Sequence, residues 1–303
     1  MTHALRMAVA VLLVALAAAS LLTQYGIESA SPQSALLAFS QSGAGPDMIA
    51  LVESAKRRGA YSIALTNDPA SGLAAAADAT ADLDAGPERA VAATKTYLAE
   101  LISVALIAAA AARAVGRDGS WAEEFNSLPN RMQAALDSAR MWLADAADTP
   151  VVRALHGGNR ALVVGRGFEY PNALELALKL RETTAMFADG YSAADLLHGP
   201  IASASADVAS IALSTDPATE KSIDGSLDRL RAAGAPLLLI RSDASRSRRM
   251  GRDEELVLPT GPHGPLCTPV TAIAGLAIIE SVATGRGLNP DAPQGLTKVT
   301  KTL

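Results

Sequence analysis

Three charged side chains on one predicted helix are the first candidates for chemistry in this 303-residue chain. Glu175, Lys179 and Glu182 fall at i, i+4 and i+7 within Ala173–Met186, a run rich in Ala, Leu, Lys and Glu, so all three project from one face. Two carboxylates flanking an ammonium, with an imidazole to follow at His198, form a set that can move protons. The same spacing also suits an ordinary solvated helix pair, and periodicity alone leaves both readings open. A second set is Ser40-Gln41-Ser42-Gly43-Ala44-Gly45, two hydroxyls, an amide and two glycines just before a predicted helix. Backbone N–H groups and the helix dipole converge on anions at such a turn, although most Ser/Gly-rich turns are only turns.

Both sets need rigid elements behind them. Ser34–Phe39 reads as a strand, Met48–Arg58 as a helix closed by Gly59, and Tyr61–Leu65 as a second strand. Such a unit implies parallel strands in a doubly wound sheet. Ala70–Leu83 gives a short helix and a strand-like stretch. Ala85-Gly86-Pro87-Glu88-Arg89 then opens a long apolar helix reaching about Ala112, and Glu88 and Arg89 are placed to cap it. Trp121–Asp145 is polar and amphipathic and is expected to link two halves.

The second half begins near Thr149. Ala161–Val164 is a strand, Gly165-Arg166-Gly167 a glycine loop, and the charged helix follows. Ala188-Asp189-Gly190 is expected to be a turn, leading to His198-Gly199-Pro200. Val208–Ser214, a helix to Arg231, Gly234-Ala235 and Leu237–Ile240 mirror the earlier strand-helix-glycine-strand order, which implies an internal duplication. The second copy's loop, Ser214-Thr215-Asp216-Pro217, sets a carboxylate where the first has Ser-Gly, and so is a poor phosphate site. An apolar helix over Val270–Ala283 and a polar tail complete the chain.

Composition narrows the classes. Half the residues are hydrophobic but only 4% are aromatic, which suits alanine-rich helices packed on a sheet in two ordinary domains. The net charge of −5, with no basic stripe beyond Arg246–Arg252, argues against a nucleic-acid partner. The single cysteine, Cys267, excludes an internal disulfide framework. His3, His156, His198 and His263 lack metal-ligand spacing, so no metal site is expected. Met7–Gly26 carries no charge and reads either as a signal peptide with Ala-x-Ala at Ala15–Ala17 or Ala17–Ala19, or as a buried segment. The buried reading is preferred: Val9–Ala19 is a core strand, no membrane is involved, and the protein is cytoplasmic.

Taken together, Gly165-Arg166-Gly167, Tyr170-Pro171, Leu174-Glu175, Ala177-Leu178-Lys179-Leu180, Glu182 and His198-Gly199-Pro200 stand in one register. This run resembles the second sugar-isomerase (SIS) domain of the double-SIS family, which comprises the isomerase part of glucosamine-fructose-6-phosphate synthase and glutaminase-free glucosamine-6-phosphate deaminases. Ser40-Gln41-Ser42-Gly43 resembles that family's sugar-phosphate loop, with Gly45 where a hydroxyl is usual. Ala85-Gly86-Pro87-Glu88 with Val91-Ala92-Ala93-Thr94-Lys95, and Pro293-Gln294-Gly295-Leu296-Thr297-Lys298, resemble two further family segments.

The resemblance implies an α/β fold of two similar SIS domains, each a doubly wound parallel sheet flanked by helices. The expected division is residues 1–140, a first domain incomplete at its N-terminus, then 141–285, then a tail at 286–303 lying over the active site. The family's loop ahead of about Thr2–Met7 has no counterpart, and neither has the glutaminase part with its N-terminal cysteine nucleophile. In the implied mechanism Ser40, Gln41 and Ser42 anchor a sugar phosphate, with Gly43 shaping the loop and backbone near Val91 bordering the substrate. His198, from the partner subunit of a homodimer with shared sites, assists ring opening. Lys298 serves as a Schiff-base amine or as a charge on the opened sugar. Glu182 carries a proton between C1 and C2, oriented by Glu175 and Lys179. No cofactor is needed. The implied activity interconverts glucosamine 6-phosphate with fructose 6-phosphate and ammonia, and the alternative is a non-catalytic sugar-phosphate-binding protein.

Overall fold

The computed structural model describes residues 19–117, 119, 121–242, 254–259 and 264–298. His3, His263, the Arg246–Arg252 cluster and the expected strand over Val9–Ala19 lie outside these, apart from Ala19, which opens a helix. By its internal contacts the chain forms two compact units. The first comprises Met1–Arg89, Ala93–Gly119 and Thr297–Leu303, and the second Ala90–Ala92 with Ser120–Leu296. The expected boundary at residue 140 falls inside a helix of the second unit.

In the first unit the elements are α1 (Ala19–Thr23), β1 (Ala35–Ser40), α2 (Pro46–Arg57), β2 (Tyr61–Thr66), α3 (Gly72–Ala76), β3 (Ala79–Asp82) and α4 (Lys95–Ala114). The strands form a parallel sheet in the order β1-β2-β3, with Ala35 opposite Tyr61 and Ile63 opposite Ala79. Among the described residues one core cluster holds Ala38, Val52, Ala64 and Leu73, with Leu36, Met48 and Ile49 packed against it. Gly59, at φ +80°, turns the chain from α2 into β2 as the sequence implies. Glu88 caps α4 as expected, accepting from the backbone N–H groups of Thr94 and Thr96 at 3.1 and 2.9 Å.

The second unit runs α5 (Trp121–Asp145), α6 (Pro150–Gly157), β4 (Arg160–Gly165), α7 (Tyr170–Thr184), β5 (Phe187–Ser192), α8 (Ala193–Leu197), β6 (Ala209–Ser214), α9 (Glu220–Ala232), β7 (Leu237–Ser242), β8 (Glu254–Leu258) and α10 (Cys267–Gly285). All five strands are parallel, in the order β5-β4-β6-β7-β8. The order reverses direction between β4 and β6, which is the topological switch of a doubly wound sheet. Every residue of β6 is buried, as suits a central strand of a parallel sheet covered on both faces. One core cluster joins Leu162 and Val164 to Leu196, Ile223, Leu227, Leu230, Leu237 and Leu239. Each such leucine contributes about 1.5–3 kcal/mol on burial.

One expectation is corrected here. Ala188-Asp189-Gly190 is not a turn but the middle of β5, paired with Ala161, Leu162 and Val163 of β4. The turn falls earlier, at Ala185, whose left-handed φ of 55° ends α7. Asp and Gly disfavour strands in general, but Gly190 is required where it stands. A Cβ there would sit 2.4 Å from the carbonyl oxygen of Ala173, so only glycine lets this edge strand lie against α7.

Among the described residues two helices, α4 and α10, are long and apolar enough to cross a membrane by length and composition. In α10 the apolar window is 67% buried and packs as a core helix, whereas in α4 only 6% is buried. The side chains of Val104 and Leu106 on α4 are accordingly exposed in the single chain.

Candidate functional site

The loop after β1 is tight and pre-shaped. Ser40 Oγ accepts from the Gly43 N–H at 3.1 Å, and Ser42 Oγ accepts from the Ala44 N–H at 3.3 Å. The Gln41 carbonyl accepts from the Asn67 N–H at 3.2 Å, fixing the loop to the end of β2. Gly43 has φ +58°, and a Cβ on it would lie 2.1 Å from Ser71 Oγ, so the position demands glycine twice over. α2 then starts at Pro46, with Gly45 as an N-cap that offers no side chain. The absent hydroxyl noted in the sequence is therefore absent from a helix N-terminus, where an anion finds backbone N–H groups and a favourable dipole.

In the second unit α7 brings Glu175, Lys179 and Glu182 together. Lys179 Nζ lies 3.3 Å from Glu175 Oε1 and donates to Glu182 Oε2 at 2.6 Å. The lysine side chain is only 6% exposed, against 16% for Glu175 and 25% for Glu182, so this is no solvated surface pair. Burial pushes the Glu175 carboxyl up, the Lys179 ammonium pulls it down, and Glu182 pushes it up again, with a net upward direction. Glu182 also lines a cavity of about 420 Å³, together with Arg181 and the stretch between Gly287 and Leu296, including Asn289 and Gln294. That volume suits a small polar ligand such as a sugar phosphate. Part of the tail thus lies beside Glu182.

The helix is held at its start by a buried polar knot. Glu169, fully buried, accepts from Asn172 Nδ2 at 2.7 Å, from Thr271 Oγ1 at 2.8 Å and from the Thr215 hydroxyl. Asn172 Nδ2 also donates to the Thr268 carbonyl at 2.9 Å, tying α7 to α10. Burial pushes the Glu169 carboxyl up, against the hydrogen bonds from Thr215, Asn172 and Thr271 that pull it down. Glu169 fills the carboxyl edge of β4 and β6, where a doubly wound sheet would otherwise take a ligand. The second copy's loop is accordingly closed by the protein's own side chains, with Asp216 accepting from the Ala218 N–H at 3.0 Å.

The remaining sequence candidates stand as follows. His198 ends α8 with its side chain exposed. The Val91 N–H donates to the Asp291 carbonyl at 2.9 Å, so that group is engaged within the second unit. Lys298 is half-buried and belongs to the first unit. Sequence reasoning did not single out Glu169, Asn289 or Arg181. Glu169 sits in the Gly165–Pro171 stretch already in view, but nothing in its neighbours along the chain marks it as buried.

Comparison with known proteins identifies the family and the fold. The SIS domain family matches residues 4–110 and again residues 154–280. A glutamine--fructose-6-phosphate aminotransferase [isomerizing] from Symbiobacterium thermophilum is 33% identical over 264 residues, 86% of this chain and 43% of that protein. The enzyme of the same name from Thermotoga maritima is 32% identical over 271 residues, 87% of this chain and 43% of that protein. The chain thus spans less than half the length of these curated relatives. Among solved structures, the C-terminal domain of glucosamine-fructose-6-phosphate aminotransferase from Francisella tularensis superposes with a TM-score of 0.78 at 24% identity, covering 86% of this chain and 73% of that one. A glucosamine-6-phosphate deaminase from Thermotoga maritima gives 0.71 at 18% identity, covering 94% and 80%. At these identities the two structures speak for the fold.

Proposed function

The chain belongs to the SIS-domain family, with two SIS domains related to the isomerase part of glutamine--fructose-6-phosphate aminotransferases, and on that premise we propose that it is an amino-sugar-phosphate isomerase and deaminase. It converts glucosamine 6-phosphate and water to fructose 6-phosphate and ammonia. The observation that carries the reading is the buried Glu175–Lys179–Glu182 cluster with Glu182 facing a cavity of sugar-phosphate size.

In this reading Ser40, Gln41 and Ser42 hold the phosphate, with Gly43 keeping their backbone in place. His198 of a partner subunit assists opening of the ring. Glu182 takes the proton from C2 of the open aldose and returns it to C1, which leaves a ketose-level imine at C2. Water adds to that imine and ammonia leaves. Lys298 is the amine or the positive charge near the carbonyl carbon. Glu175 and Lys179 orient Glu182. The exposed apolar surface of α4 fits a homodimer, and the relatives' metabolic role fits a cytoplasmic location.

Gly45, which gives the α2 N-terminus no capping hydroxyl, favours a second reading, a sugar-phosphate-binding protein without turnover. One experiment separates the two. Glucosamine 6-phosphate should both raise the melting temperature and release ammonia and fructose 6-phosphate. Binding without release would leave the second reading, and neither would remove both.

A further inference from the structure

Arg131 lies on α5, two residues after Pro129. Its Nε, Nη1 and Nη2 are all buried, and none has a hydrogen-bond partner. A guanidinium carries five N–H donors and does not give up its proton inside a protein, so a full charge is buried here with its donors unmet. Such a group normally pairs with an acid, because an unpaired buried charge carries a large penalty.

Among the described residues, the acids do not supply that pair. Glu124, on the same helix, attracts Arg131 without bonding to it. Asp216 turns Oδ1 to the Ala218 N–H. Glu169 is pushed toward its neutral form by burial and is already bonded to Thr215, Asn172 and Thr271.

Beside the guanidinium is a cavity of about 10 Å³, lined by Arg131, Thr215, Ser242, Leu258, Cys267 and Thr271. That is room for one particle the size of a water or a halide, and too little for phosphate or carboxylate. It stands at the carboxyl ends of β6 and β7, the side of a doubly wound sheet where ligands collect. The hydroxyl protons of Thr215 and Thr271 are directed to Glu169, and that of Ser242 to the Thr215 carbonyl, which leaves Arg131 as the free donor set.

We propose that this cavity binds a single monovalent anion of halide size, held by the Arg131 guanidinium. A water placed there would accept hydrogen bonds but would leave the charge uncompensated, and the charge decides between them. The inference is independent of the proposed reaction, since its readouts are binding and stability.

Bromide tests it. Crystals of the full chain soaked in sodium bromide should show an anomalous peak within hydrogen-bonding reach of the Arg131 Nη atoms. Melting in sodium chloride or bromide should lie about 2–4 °C above melting in sodium gluconate of equal ionic strength. Arg131→Met should abolish that halide-specific increment. An anomalous map without a peak, meaning a water only, overturns the proposal, as does an Arg131→Met protein that keeps the increment. If the Met variant fails to fold, the bromide map of the unsubstituted protein decides.

Discussion

Lys179 owes its burial to being met twice, once by Glu175 and once by Glu182. Removing it leaves two partly buried carboxylates facing each other. Lys179→Met should therefore cost about 3 kcal/mol at neutral pH, as broken buried ion pairs do. The loss should shrink in acid, where Glu175, already raised by burial, takes up a proton. Urea unfolding at two pH values checks both the size and the trend. Glu169 makes a different case. A native state that holds a proton more tightly than the unfolded chain loses stability as pH rises from the ordinary carboxylate range through the raised value. Glu169→Gln removes that titration, so its melting temperature should fall less with pH over that window than that of the unsubstituted protein. Identical slopes would mean that Glu169 ionises normally. In the first unit, Gly43→Ala brings a Cβ against Ser71 Oγ at a left-handed φ and should weaken glucosamine 6-phosphate binding, read by calorimetry.

Elements were legible in the sequence wherever one local signal decided them. The 3.6-residue spacing put Glu175, Lys179 and Glu182 on one face, and the structure keeps them there. Their burial was not legible, because the same spacing serves a solvated pair. What decides it is α7 lying against β4, β5 and α10, elements both near and far in sequence. β5 was hidden for a related reason: Phe187-Ala188-Asp189-Gly190 has the local chemistry of a turn, and only pairing with β4 makes it a strand. Gly190→Ala tests that account. Its Cβ would force β5 away from the Ala173 carbonyl, so it should cost about 1–3 kcal/mol in urea unfolding. A neutral result would mean that β5 can shift freely. Arg131 was beyond sequence reasoning, since its surroundings come from Thr215, Ser242 and Thr271, all distant along the chain.

At the scale of the whole molecule, the duplication read from the sequence is present as two SIS domains whose loops have diverged. After β1 the chain keeps an open hydroxyl-and-glycine turn, whereas after β6 Glu169 and Asp216 close the corresponding place. A homodimer with shared sites predicts complementation. Mixing Glu182→Gln chains with His198→Ala chains should restore part of the activity, and mixtures no better than either variant alone would exclude sharing. The central claim is that Glu182 moves the proton, and turnover and binding of glucosamine 6-phosphate by folded Glu182→Gln test it most directly. A carboxylate that only shuttles a proton matters to the transition state far more than to the bound substrate. Turnover should fall by roughly two to four orders of magnitude with affinity nearly unchanged, and a folded Glu182→Gln protein that turns over at a near-normal rate would contradict the account.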